Sequence, residues 1–167
     1  MFRLEIERDL FNSALEPFPK GHLEYKHGCI VGKVSLPIGA VSVVAVPSFD
    51  GSHVVFSVPF SEIKGDIAGG FFLSKIISTF WSTIAQQIES LIIPKLAKHG
   101  LPRNTVTTDK VKDRSGDVGK IKVSIRAINS WLAGKHPRLT PSVESVSFEQ
   151  EAILIEGDVK NLEGLAS

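Results

Sequence analysis

The chain has 167 residues, 43% hydrophobic and 22% charged, which suits a single domain, residues 1–167, with a real core and excludes a disordered class. Cys29 is the only cysteine, which excludes a disulfide framework and a thiolate metal cluster. The formal net charge is +1, but residues 1–90 hold 7 Lys/Arg and 9 Asp/Glu, residues 91–142 hold 11 and 3, and residues 143–167 hold 1 and 6. The basic segment 91–142 therefore either faces an anionic partner such as a membrane surface or is neutralised by acidic segments on neighbouring strands.

The chain opens MFRLEIERDLF. Phe2, Leu4 and Ile6 alternate with charged residues, as in a half-buried strand or a helix start. An apolar leader is missing from this stretch, so a cytoplasmic location is expected. Residues 11–20, with Pro17 and Pro19, read as a connection. His22 to Leu36 is strand material, with a bulge or bend expected at Gly32 and an end at Pro37. Ala40–Phe49 and His53–Phe60 form a hairpin, for which Asp50-Gly51 predicts a type I′ turn.

Residues 61–70 turn the chain into its dominant element, a helix over residues 67–96. Leu73, Ile76, Ile77, Phe80, Ile84, Ile88 and Leu91 recur at intervals of three and four, and Trp81, Ala85 and Ile92 widen this apolar face. Its longest uncharged run, Ile76–Ile88, is short of the roughly 20 residues a membrane span requires. Pro94 predicts a kink or a stop, and Gly100 and Pro102 an end. A short strand over 105–108 and a loop tip over 113–119 follow. Next come a strand over 121–125, a short helix over 128–133, and a hairpin of 143–148 with 152–159. The reading is α+β, a curved and mostly antiparallel sheet wrapped around one long central helix, with a short helix near the C-terminal hairpin.

Reactive patterns are lacking. His22, His27, His53, His99 and His136 form no metal-ligand spacing, and no metal or cofactor is expected. Cys29, in HGCIVGKV, reads as a buried structural thiol. The run GDVGK at 116–120 lacks the Walker spacing, and GDIAGG at 65–70 lacks the dinucleotide fingerprint. Glu5/Glu7 and Glu149/Glu151 read as solvated faces or turns. The basic segment interleaves only Trp131 as an aromatic, which argues against nucleic acid. An enzyme is disfavoured on these grounds.

The closing run, strand KIKVSIRAI, short helix NSWLAG and hairpin VESVSFEQEAILIEGDV, following a long helix, resembles bacterial members of the tubular lipid-binding superfamily. That resemblance implies a lipid or another apolar ligand held between helix and sheet. From the residues themselves, Phe72, Phe80, Trp81, Ile84 and Ile88 would line such a groove against Val54, Phe56 and Val58. Lys95, Lys98 or Arg103 would meet an anionic head group. The alternative is a structural or interaction protein whose helix face is fully packed or buried in a homodimer.

Overall fold

The computed structural model describes residues 1–16, 21–36, 39–65 and 70–160. The connection expected through Pro17 and Pro19, the strand end at Pro37 and residues 66–69 of the turn into the long helix lie outside the described residues.

Alternation of apolar and charged residues extends β1 (Phe2–Glu7). Helix α1 (Arg8–Leu15) then occupies part of the expected connection. Eight residues do not hold a helix alone. This one is held by tertiary contacts: Phe11 lies edge-on to Tyr25 with centroids 5.7 Å apart, and the Asn12 side chain accepts from Tyr25 N at 2.5 Å. In the hairpin of β2 (Gly21–Lys26) and β3 (Cys29–Leu36), the two-residue loop has positive φ at both His27 (51°) and Gly28 (78°), the type I′ pattern. Gly32 is not a bulge. It stays in register opposite Leu23, and a Cβ there would stand 1.9 Å from the His22 carbonyl oxygen, so close backbone approach explains the glycine.

The next hairpin joins β4 (Gly39–Phe49) to β5 (His53–Pro59). Its turn is shifted by one residue from the expected one. Asp50 N donates to the His53 carbonyl, leaving Gly51 and Ser52 as the central pair, and only Gly51 has positive φ (94°), the sign pattern of type II′. Asp50 Oδ1 causes the shift, accepting from the N–H of Ser52 at 2.9 Å and of His53 at 2.7 Å. Strand β4 pairs with β3 over residues 39–45 and with β5 over 46–49, while the short β6 (Lys64–Gly65) adds to it at Val41 and Ser42. This change of partner makes β4 the bend of the sheet. A 3₁₀ turn, Phe60–Glu62, separates β5 from β6.

Helix α2 spans Gly70–Lys98 and continues through Pro94. Pro94 and Ser90 are both exposed, so water can serve the carbonyl that the proline leaves without a donor. The helix ends in a Schellman motif: Leu101 N donates to Leu96 O at 2.9 Å and Gly100 N to Ala97 O at 3.0 Å, with Gly100 at φ 83°. After a second 3₁₀ turn, Arg103–Thr105, the expected loop tip proves to be a tight hairpin of β7 (Val106–Asp113) and β8 (Gly116–Ser124). Asp113 Oδ1 takes the N–H of Ser115 at 2.7 Å and its hydroxyl at 2.6 Å. The many charges of β7 suit an edge strand, which explains the weak apolar signal there. Ser124 caps α3 (Ile125–Lys135), and the chain closes with β9 (Pro141–Phe148) and β10 (Ala152–Val159).

Among the described residues all pairings are antiparallel, and the architecture corrects the expected one. The strands form two sheets: β1-β10-β9, and a larger one in the order β2-β3-β4-β5-β8-β7 with β6 added to β4. Helix α2 is not a central axis enclosed by one curved sheet. Its neighbours are β6, β7, β8 and the two 3₁₀ turns, whereas α1 and α3 attach to β2 and β9. The first strand reaches across the whole sequence to pair with the last, and no local pattern encodes such a pairing. Ile77, Trp81 and Ala85 of α2 pack with Val41, Val58, Phe60 and Ile63 as the main core cluster. The registers place Tyr25, Ile30 and Phe56 on the same sheet face as Val41 and Val58. That face bears α2 at one end. At the other it meets the three-stranded sheet, where Tyr25 Oη donates to the Glu149 and Ala152 carbonyls and Phe56 lies edge-on to Phe148.

Candidate functional site

The expected groove residues divide into two groups. Trp81 is 6% exposed. Its ring is tilted on Phe60 at 5.3 Å, its Nε1 donates to the Asp109 carbonyl at 3.0 Å, and it occupies the space a Cβ would fill at Gly119, 2.5 Å away. Val58 belongs to the same cluster, and Val54 is buried as well. These three are packed core. Phe56, Ile84 and Ile88 are only half-buried. The side chains of Phe72 and Phe80 lie outside the described residues.

Register supplies companions that the sequence reading missed. Phe56 stands opposite Ile121 on β8, and Ile121 opposite Thr108 on β7. On the β4 side, Pro47 is the partner of Phe56, and Ala45, the partner of Ile30, lies one position further along this face. Phe56, Ile121, Ala45 and Ile30 are all half-buried and on one face; Ala45, like Ile84, packs against the core cluster under α2, and Phe56 against Phe148 of the other sheet. Thr108 Oγ1 donates to Glu89 Oε1 at 2.8 Å, which holds the Ile84–Ile88 turn of α2 beside this row. Alternation marked Phe56 and Ile121 as inward-facing, but their juxtaposition depends on the pairing of β5 with β8, more than 60 residues apart.

Lys95, Lys98 and Arg103 are exposed and flank the turn that ends α2. Lys95 and Lys98 sit in the last helical turn, where cations complement the helix dipole. Trp131 Nε1 donates to the His99 carbonyl at 2.7 Å and ties α3 to this turn. The basic segment is partly neutralised within its own hairpin: Asp109 faces Lys120 across the strands, Lys112 faces Asp117, and Lys122 Nζ approaches Asp109 Oδ2 at 3.8 Å. Cys29, expected to be buried, is half-buried beside the His27–Gly28 turn.

The two carboxylate pairs that looked unrelated in sequence meet in an open cleft of about 800 Å³. Pairing of β1 with β10 brings Glu5 and Glu7 to Glu149 and Glu151, and Asp9 and His27 line the same cleft. Arg8 already binds Glu151 at 2.8 Å and Asp9 at 3.3 Å. Among the described residues, no group of three or more His, Cys, Asp or Glu is placed to hold a metal ion, and no helix is long and apolar enough to cross a membrane.

Compared with protein-family models, with curated proteins and with solved structures, the chain matches none.

Proposed function

We propose that the protein binds an apolar ligand, such as an acyl chain, along the helix-bearing face of its larger sheet. The observation that carries this reading is the partial exposure kept by a row of apolar side chains, Ile30, Ala45, Phe56 and Ile121, along the face where α2 and the three-stranded sheet adjoin. Ile84 and Ile88 border it from α2. Covering such a row with hydrocarbon contributes about 0.8 kcal/mol per buried CH₂, so a chain of modest length binds without polar anchors. Lys95, Lys98 and Arg103 then serve an anionic head group at the end of α2. The element order behind the resemblance to tubular lipid-binding proteins, long helix, strand, short helix and terminal hairpin, supports the same reading. The wrapped-helix geometry is no part of it.

The experiment is native mass spectrometry of the purified protein, followed by solvent extraction and incubation with phosphatidylglycerol vesicles. Lipid bound near one to one, and lost in folded Phe56→Asp or Ile88→Asp variants, is the expected result. A clean apo mass with no uptake from vesicles would refute the proposal. It would favour a non-catalytic interaction protein instead, a reading that the close packing around Trp81 and Gly119 supports.

A further inference from the structure

The outer edge of β1 presents a strand that is complementary to itself. Among the described residues, β1 pairs with β10 alone. Arg8 N donates to the Glu151 carbonyl at 2.9 Å, which fixes the phase of this ladder: residues 2, 4 and 6 direct their N–H and C=O groups to β10, and Arg3, Glu5 and Glu7 direct theirs outward. Leu4, at the middle of the strand, is 50% exposed. Arg3 has only a 4.0 Å approach to Glu156, while Glu5 stands in the acidic cleft with Glu7, Glu149 and Glu151. A free edge with an exposed leucine invites another strand.

We propose that this edge is a dimer interface, β1 pairing antiparallel with β1 of a second copy to join two three-stranded sheets into one of six strands. A two-fold axis requires a residue to oppose either itself or its mirror position, and only the outward-facing odd residues can form the hydrogen-bonded pairs. Registers centred on Arg3, Leu4, Glu5 or Ile6 keep most of the strand paired. Centring on Glu5 sets Arg3 opposite Glu7 but puts two carboxylates face to face at the axis, centring on Ile6 sets Glu5 opposite Glu7, and centring on Arg3 puts two guanidinium groups together. Centring on Leu4 sets Arg3 opposite Glu5 of the second copy, twice by symmetry, and Phe2 opposite Ile6. Leu4 then meets its own copy at a non-hydrogen-bonded pair, where side chains come closest. Charge therefore selects one register, and the second copy's Arg3 supplies a cation to the acidic cleft. A six-residue edge buries less than the roughly 1,200 Å² of a stable interface, so the product is a monomer–dimer equilibrium rather than an obligate dimer.

The test is sedimentation velocity across the micromolar range, with circular dichroism as the check on folding. The wild-type mass should rise from monomer toward dimer with concentration. Arg3→Glu and Glu5→Arg should each weaken association by about tenfold or more, because two favourable cross-strand pairs become repulsive. Mixed in equal amounts, these two variants should associate like wild type, since one edge then carries only acids at the two positions and the other only bases. Glu5→Pro, which removes an outward N–H and no bond to β10, should also yield monomer. A wild type that stays monomeric overturns the proposal. So do charge-reversed variants that dimerise unchanged, or folded monomeric variants that fail to associate when mixed.

Discussion

Gly119 provides the sharpest test of how the core is packed. It lies within β8, opposite Val58, at an ordinary strand φ, so the backbone there accepts any residue. On backbone grounds, Gly119→Ala should stabilise the protein by about 0.4–1 kcal/mol through a less flexible unfolded chain. Packing reverses that sign. The added Cβ would stand 2.5 Å from Cη2 and Cζ2 of Trp81 and 2.7 Å from Cζ3. That ring has little freedom to retreat, because its Nε1 is tied to the Asp109 carbonyl and its face meets Phe60. Overpacking of this kind costs about 1–3 kcal/mol, which outweighs the entropic gain and leaves a net loss centred on roughly 1 kcal/mol and at most about 2.6 kcal/mol. For a chain of this size, each 1 kcal/mol corresponds to a fall in Tm of about 2–4 °C. Urea denaturation followed by far-ultraviolet circular dichroism measures the loss. The decisive comparison is the cycle with Trp81→Phe, whose smaller ring withdraws the clashing atoms. Trp81→Phe alone leaves a void, whereas the double variant fills part of it, so the two costs should fall short of additivity by about 1 kcal/mol. A Gly119→Ala protein as stable as wild type, or costs that simply add, would refute this account.

Further expectations follow from the polar contacts. Tyr25 is 1% exposed, and burial first, then the nearby Cys29 and Glu149, raises its phenol above the ordinary value of 10.0. Its contribution is therefore complete below pH 10 and lost as pH rises through the folded-state value; Tyr25→Phe should remove that alkaline loss while costing about 1 kcal/mol at neutral pH, as urea titrations at several pH values will read. Asp50 is held low by the backbone N–H groups of Ser52 and His53, and Asp113 by the hydroxyl and N–H of Ser115. Their contributions exist above the unfolded carboxylate range and disappear as pH falls through the lowered values, so Asp50→Ala and Asp113→Ala proteins should lose less stability than wild type on acidification. Carbon-detected NMR titration should find both carboxyls still ionised where exposed aspartates have protonated. Asn129 accepts from Val143 N at 2.7 Å and donates to its carbonyl at 3.0 Å. Asn129→Ala should cost about 1–3 kcal/mol by leaving both groups without a partner, with faster amide exchange at Val143 as the local readout.

Much of the secondary structure was legible because local spacing encodes it. The alternation in β1 and β5, the three-and-four spacing in α2 and the stop at Gly100 all act within a few residues, where backbone geometry is decided. The turn at Asp50 was harder to place, since Asp50 Oδ1 chooses between neighbouring hydrogen bonds that composition does not rank. The β7–β8 hairpin was hidden by the charges that an edge strand carries. What only the tertiary structure decided depends on partners far apart in the chain. The spacing gave α2 an apolar face but left open what covers it. Gly119, 38 positions beyond Trp81, makes room for the indole and turns an expected groove residue into core. The pairing of Glu7 with Ala152 gathers two distant acid pairs into one cleft, and that of Phe56 with Ile121 assembles the apolar row. Local periodicity sets which way a side chain faces, but what it faces is set by long-range strand pairing, which wins only when the whole chain closes around it.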